Sequence, residues 1–165
     1  MISKNKKIRL SLLLAVILFA ITGCFKTNDL EDAERMKIET YLSEHVDVQF
    51  NLKTSGLYYA DIEVGMGRKP VEHDTAYIFY NAQYLSETSF GSNFGTTDTL
   101  IAPVGEGFLI LGFDEAITYM NEGGKAKAIV PSDLGYGNTG YYFPAYTPIL
   151  FDIHLVKVKP GPGAR

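Results

Sequence analysis

The residues of this chain equipped for chemistry are rings rather than acids and bases. Between Val130 and Pro144 the sequence reads VPSDLGYGNTGYYFP: Tyr136 stands between Gly135 and Gly137, and Tyr141, Tyr142 and Phe143 follow Gly140. Four aromatics are too much apolar surface for a solvated loop, and the glycines give too much backbone freedom for a core strand. Such a loop is suited to docking a ligand. The chain has 10 Phe and 11 Tyr but no Trp, so its candidate site is an apolar groove with a few polar groups.

Other constellations are incomplete. His45, His73 and His154 lie far apart and form no HExxH or Cys/His ligand spacing, so no metal is expected. The glycine pairs at 65/67 and 105/107 do not complete GxGxxG, and no dinucleotide or other cofactor is expected. Ser132, Asp133 and His154 lack the nucleophile elbow a serine triad requires. Asp114 and Glu115 fit the first turn of a helix better than an acid/base pair.

These rings need elements to position them. The stretches Leu57–Val64 and Thr75–Leu85, rich in aromatic and branched residues, predict two strands joined as a hairpin through GMGRKP. A loop of small and polar residues (86–98) precedes an extended TLIAPV. A short helix is expected over Phe113–Asn121, stopped by Gly123 and Gly124, followed by strands at Lys125–Val130 and Pro148–Val158. Upstream, Asp29–His45 predicts a helix capped by Asn28 or Asp29, with Leu30, Ala33, Ile38, Tyr41 and Leu42 on its apolar face. The fold class is α+β: an antiparallel β-sheet of about five strands wrapped over one short helix, behind an N-terminal helix.

The first residues differ in kind. Lys4, Lys6, Lys7 and Arg9 precede the apolar run Leu10–Ile21, too short to span a bilayer and typical of a secretory signal. Cys24, the one cysteine of the chain, ends an Ile-Thr-Gly-Cys sequence that resembles the lipobox of bacterial lipoproteins. The expected organisation is a signal over 1–23, a lipidated tether and spacer helix over 24–54, a folded domain over 55–158 and a flexible tail over 159–165. Loss of the signal leaves 11 basic residues against 19 acidic ones, a net charge of −8. That surface repels phosphate backbones, so no nucleic-acid partner is expected.

From Ser55 to Val158 the sequence resembles the FKBP-type peptidyl-prolyl cis-trans isomerases. The likeness rests on SGLYY at Ser55–Tyr59, on GFDEAITYMNEGGKAKAIVPSDLGYG at Gly112–Gly137 and on PILFDIHLVKV at Pro148–Val158. The resemblance implies catalytic roles for Tyr80, Phe90, Ile110, Phe113, Tyr136 and Phe151. The Ile110 amide would hold the substrate carbonyl, Phe113 would form the floor and the Tyr136 hydroxyl would bond the ligand. It implies substrate contacts for Leu100, Leu109, Tyr141, Tyr142 and Phe143. Two positions depart from the family pattern: Gly91 replaces an aspartate and Phe113 a tryptophan. The function implied is rotation of X–Pro bonds in exported polypeptides by an enzyme of the bacterial cell envelope, anchored in the membrane by lipid at Cys24. The alternative is a non-catalytic binding lipoprotein that uses the same groove as a chaperone.

Overall fold

The structure, a computed structural model, describes residues 25–162, the side chains of 25–28 excepted. The signal and Cys24 lie outside the described residues. Helix α1 spans Phe25–Glu44, followed by β1 (Asn51–Leu52), β2 (Tyr58–Glu63), β3 (Thr75–Gln83), β4 (Ser89–Ser92) and β5 (Leu100–Pro103). Helix α2 (Leu111–Tyr119), β6 (Lys125–Val130), a 3-10 turn (Ser132–Leu134) and β7 (Ile149–Lys159) complete the order. The α+β class stands.

Seven strands form one antiparallel sheet in the order β1-β2-β6-β7-β3-β4, with β5 pairing β3. The strands beyond the expected five or so are β1, only two residues long, and β4, which lies within the expected 86–98 loop. Their small and polar composition hid them: Ser-Phe-Gly-Ser gains its strand character by pairing with Asn81–Gln83.

The predicted β2–β3 hairpin does not form. β2 pairs with β1 and β6, whereas β3 pairs with β4, β5 and β7. The connection between them is pinned across the sheet end instead: the Gly67 amide donates to the Glu122 carbonyl and the Glu122 amide to the Arg68 carbonyl, both at 3.0 Å. Those bonds hold the connection to the turn after α2, away from a tight hairpin.

Alternation along β6 and β7 builds two cores from one strand pair. Ala126, Ala128 and Val130 of β6, with Ile149, Phe151, Ile153 and Leu155 of β7, face α2, where Phe113, Ala116 and Ile117 meet them. Ile129 and Leu150 point the other way and meet Ile38 and Tyr41 of α1. Each Val, Ile, Leu or Phe side chain so buried contributes about 1.5–3 kcal/mol, and each alanine less. Helix α2 lies close against β6 because residue 112 is glycine: a Cβ there would sit 2.6 Å from Val130 Cγ1.

Helix α1, described from Phe25, already runs through the expected cap at Asn28 or Asp29. It is packed along the outer sheet face, with Ile38 and Tyr41 against Ile129 and Leu150. Ile38 and Tyr41 of the expected stripe are buried, whereas Leu30 is exposed and Glu34, outside that stripe, is buried. Helix α2 starts two residues earlier than expected, with Ile110 at its N-cap in extended conformation. Near the C-terminus β7 continues to Lys159, and the Gly161 amide donates to Asp74 Oδ1 at 2.9 Å, so the first residues of the expected flexible tail are held.

Candidate functional site

Six parts of the fold converge on one hollow of about 820 Å³. Tyr80 comes from β3 and Leu100 from β5. The loop before α2 brings Gly107, Phe108, Leu109 and Ile110. Phe113 comes from α2, Tyr136, Tyr142 and Phe143 from the long loop after β6, and Phe151 from β7. A second hollow of about 700 Å³ lies beside α1 between Met36, Tyr41, Leu85 and Pro148. It contains none of the rings that the resemblance assigns to a site, so the first is the candidate.

The floor is aromatic. Phe113 and Phe151, both nearly buried, stack with ring centroids 4.6 Å apart, and Tyr80 meets Phe113 edge-on at 5.9 Å. The near wall is the Tyr136–Phe143 pair at 4.6 Å, with Tyr142 at 6.1 Å from Tyr136. Rigid rings wedged against one another hold a cavity open because none can fold into the space without losing its own contacts.

Backbone devices aim these rings. Asn93 Oδ1 accepts from the Tyr80 amide at 2.7 Å, and Asn93 Nδ2 donates to the Ile78 carbonyl at 3.0 Å, locking the strand that carries Tyr80. The loop before α2 is tied to its helix by Asp114, whose two oxygens accept from the Gly105 amide at 3.1 and 2.9 Å. Burial raises the Asp114 pKa and the Gly105 bond pulls against that. Glu115, its neighbour in sequence, accepts from the hydroxyls of Ser55 and Tyr119. Neither carboxylate faces the hollow. Tyr136 sits on a loop that turns at Gly137, whose φ of +76° favours glycine. Burial pushes the Tyr136 phenol above its ordinary pKa, with Tyr80 and Tyr142 adding to the effect, so it remains a neutral donor. The Ile110 amide, just outside α2, has no backbone acceptor among the described residues.

Of the site residues expected from sequence, the fold gathers Tyr80, Leu100, Leu109, Ile110, Phe113, Tyr136, Tyr142, Phe143 and Phe151 at the hollow. Phe90 and Tyr141 are not among its lining. Ala82 pairs with Gly91 and Gln83 with Ser89, so Phe90 is the extra residue of a bulge, its ring turned onto Tyr84 and Phe143 at 5.0 and 4.8 Å. It props the wall from behind. Tyr141 follows the Gly140 turn outward, 81% exposed, with its ring at right angles to Tyr142. Phe108 and Gly107 were missed; a lone aromatic among GEGFLI carries no periodic signal, though a Phe flanked by glycine was the available hint. Ser132, a member of the discounted triad, bonds Glu34 rather than a histidine.

An antiparallel sheet bent around one helix carries an aromatic hollow whose lining, among the described residues, holds no carboxylate, histidine or lysine, a surface suited to apolar chain segments. The profile of the family described as FKBP-type peptidyl-prolyl cis-trans isomerase matches residues 66–156, and the chain belongs to that family. It is 32% identical over 105 residues to an FK506-binding protein of Neisseria meningitidis serogroup B, covering 62% of this chain and 96% of that one. It is 32% identical over 116 residues to the isomerase FkpA of Escherichia coli, covering 68% of this chain but 42% of FkpA. The crystal structure of Escherichia coli FkpA superposes with a TM-score of 0.71 at 23% identity, covering 98% of this chain and 75% of the other, a likeness of fold. The chain is therefore a peptidyl-prolyl isomerase, and its substrates are proline-containing polypeptides.

Proposed function

We propose that this chain rotates X–Pro bonds of exported polypeptides inside the ring-lined hollow, held to the bacterial cell envelope by a lipid on Cys24. The barrier to rotation, about 18–20 kcal/mol, comes from amide resonance. No proton has to move. A planar amide is more dipolar than a twisted one, so a water-poor pocket disfavours the planar form relative to the twisted form. In this reading Tyr80, Phe113 and Phe151 enclose the pyrrolidine, with Phe90 bracing the wall through Phe143. The Ile110 amide receives the substrate carbonyl, and the Tyr136 hydroxyl donates a second bond that holds the chain while the imide turns. Tyr142 and Phe143 line the rim, with Leu100 and Leu109 beside them.

The observation that carries this reading is a stacked aromatic floor, a helix-start amide with no backbone acceptor among the described residues and the Tyr136 phenol, all around one hollow. Each tenfold acceleration requires about 1.4 kcal/mol of differential stabilisation, which one such donor supplies. The test is an isomerisation assay on a short prolyl peptide with purified full-length chain, beside Phe151→Ala. A rate no faster than solvent would refute the reading, and a wild-type rate in Phe151→Ala would remove the floor from it. Envelope attachment is tested separately: Cys24→Ser should move the chain from the membrane to the soluble fraction, and mass spectrometry should show the wild-type N-terminus as a diacyl-modified cysteine.

A further inference from the structure

We infer that Glu34, on the N-terminal helix, is a positioning residue for isomerisation, acting through Ser132 on the loop that carries Tyr136. The inference rests on the placement of Tyr136 in the working hollow proposed above.

Glu34 is 8% exposed and Ser132 1%. Glu34 Oε1 accepts from the Ser132 amide at 2.6 Å, and Oε2 accepts from the Ser132 hydroxyl at 2.7 Å. A carboxylate is tolerated in such a place only when its oxygens are bonded, and losing it would strand two donors. The carbonyl of Ser132 holds the loop: it accepts from the Gly135 amide at 2.9 Å and the Gly137 amide at 2.8 Å. Tyr136 lies between those two glycines. One serine is thus gripped by α1 through its amide and hydroxyl, while its carbonyl grips both flanks of the tyrosine. A longer contact runs parallel to it, from the Tyr146 hydroxyl to Glu31 Oε1 at 3.4 Å and from the Tyr146 amide to the Gly137 carbonyl at 3.4 Å.

The helix supplying this clamp lies outside the family match at 66–156, so this support comes from a segment that the family profile does not include. It is seated independently, by Ile38 and Tyr41 on Ile129 and Leu150. A loop with glycine on both sides of its working residue samples many orientations when free, and ordering it at each encounter would cost binding free energy. Holding Ser132 beforehand removes that cost.

The test is a double-mutant cycle in the full-length chain, read as kcat/KM on a short prolyl peptide with the folded fraction of each variant measured by circular dichroism. Tyr136→Phe should lower kcat/KM about tenfold and Glu34→Ala about fivefold. In the Tyr136→Phe background Glu34→Ala should cost less than about twofold, because coupled residues are non-additive. Glu34→Gln, which keeps an acceptor for the Ser132 amide, should restore most of the loss. Equal losses in both backgrounds would make Glu34 a structural residue only, and a folded Glu34→Ala chain at wild-type rate would equally overturn the inference. Should Glu34→Ala fail to fold, the same cycle with Ser132→Ala, which removes only the hydroxyl bond, decides it by the same criterion. A Tyr136→Phe chain as fast as wild type would remove the proposed role of Tyr136 and this inference with it. A slow Tyr136→Phe with an additive or absent Glu34 effect removes the inference alone.

Discussion

The two faces of the β6–β7 strand pair are built from neighbouring residues and end in different states. On one side Ile129 and Leu150 are sealed under Ile38 and Tyr41 of α1. On the other, Phe151, next in chain to Leu150, stacks on Phe113 at the floor of a hollow that stays open. On the α1 face the aliphatic Ile129 and Leu150 are fully buried. Planar rings held edge-on and stacked by neighbours from different elements leave a gap that none of them can fill. An apolar site thus arises from ordinary core patterning where stacked rings at the edge of the α2-covered face meet a glycine-bearing loop.

The largest test of this contrast removes a ring from the open side. Phe113→Ala should lower unfolding free energy by about 3–5 kcal/mol in chemical denaturation and abolish measurable isomerisation. On the closed side Leu150→Ala should cost about 2–4 kcal/mol, yet leave kcat/KM per folded molecule within about twofold. An equal activity loss from both substitutions would show that the two faces are not functionally separate.

Space distinguishes the faces more finely. Gly112→Ala forces a methyl against Val130 and should cost about 1–3 kcal/mol. Tyr136→Phe should reduce kcat/KM about tenfold with little change in melting temperature, since the ring is 41% exposed and its packing on Phe143 survives. Because its phenol titrates above the ordinary value of about 10, wild-type activity should stay level up to pH 10 and fall only above it, and Tyr136→Phe should lose that fall. A decline beginning near pH 7 would point to a group other than this tyrosine. The smallest effect concerns Gly91, where a Cβ meets nothing within 4 Å. Gly91 pairs with Ala82, on the same sheet face as Tyr80, so Gly91→Asp should leave stability unchanged and raise kcat/KM about threefold as the carboxylate reaches the phenol. A fall in rate would show that dryness outweighs support at that edge.

Much of the fold was legible because its signals are local. β6 was bounded correctly from its sequence, and β3 and β7 came within two residues, since branched and aromatic runs alternate there. β4 and β1 were not, because Ser-Phe-Gly-Ser and Asn-Leu acquire strand geometry only from a partner. Most of the candidate site was legible through ordered motifs spread over the chain. Phe90 and Tyr141 were misplaced because a bulge and a turn redirect side chains without altering the residue types that suggest them. Glu34 carries no motif: a glutamate in a charged helix reads as solvated, and only the fold brings Ser132, 98 positions away, against it.

Composition and order alone determined the longer elements of this protein, its poverty in acid/base constellations and the family it joins, because hydrophobic period, turn residues and motif spacing are properties of neighbours along the chain. The tertiary structure decided which rings share a space, which strands α1 packs against, and that two strands with hairpin chemistry pair elsewhere. Those outcomes depend on contacts between residues distant in sequence, whose free energy exists only once the chain has closed on itself.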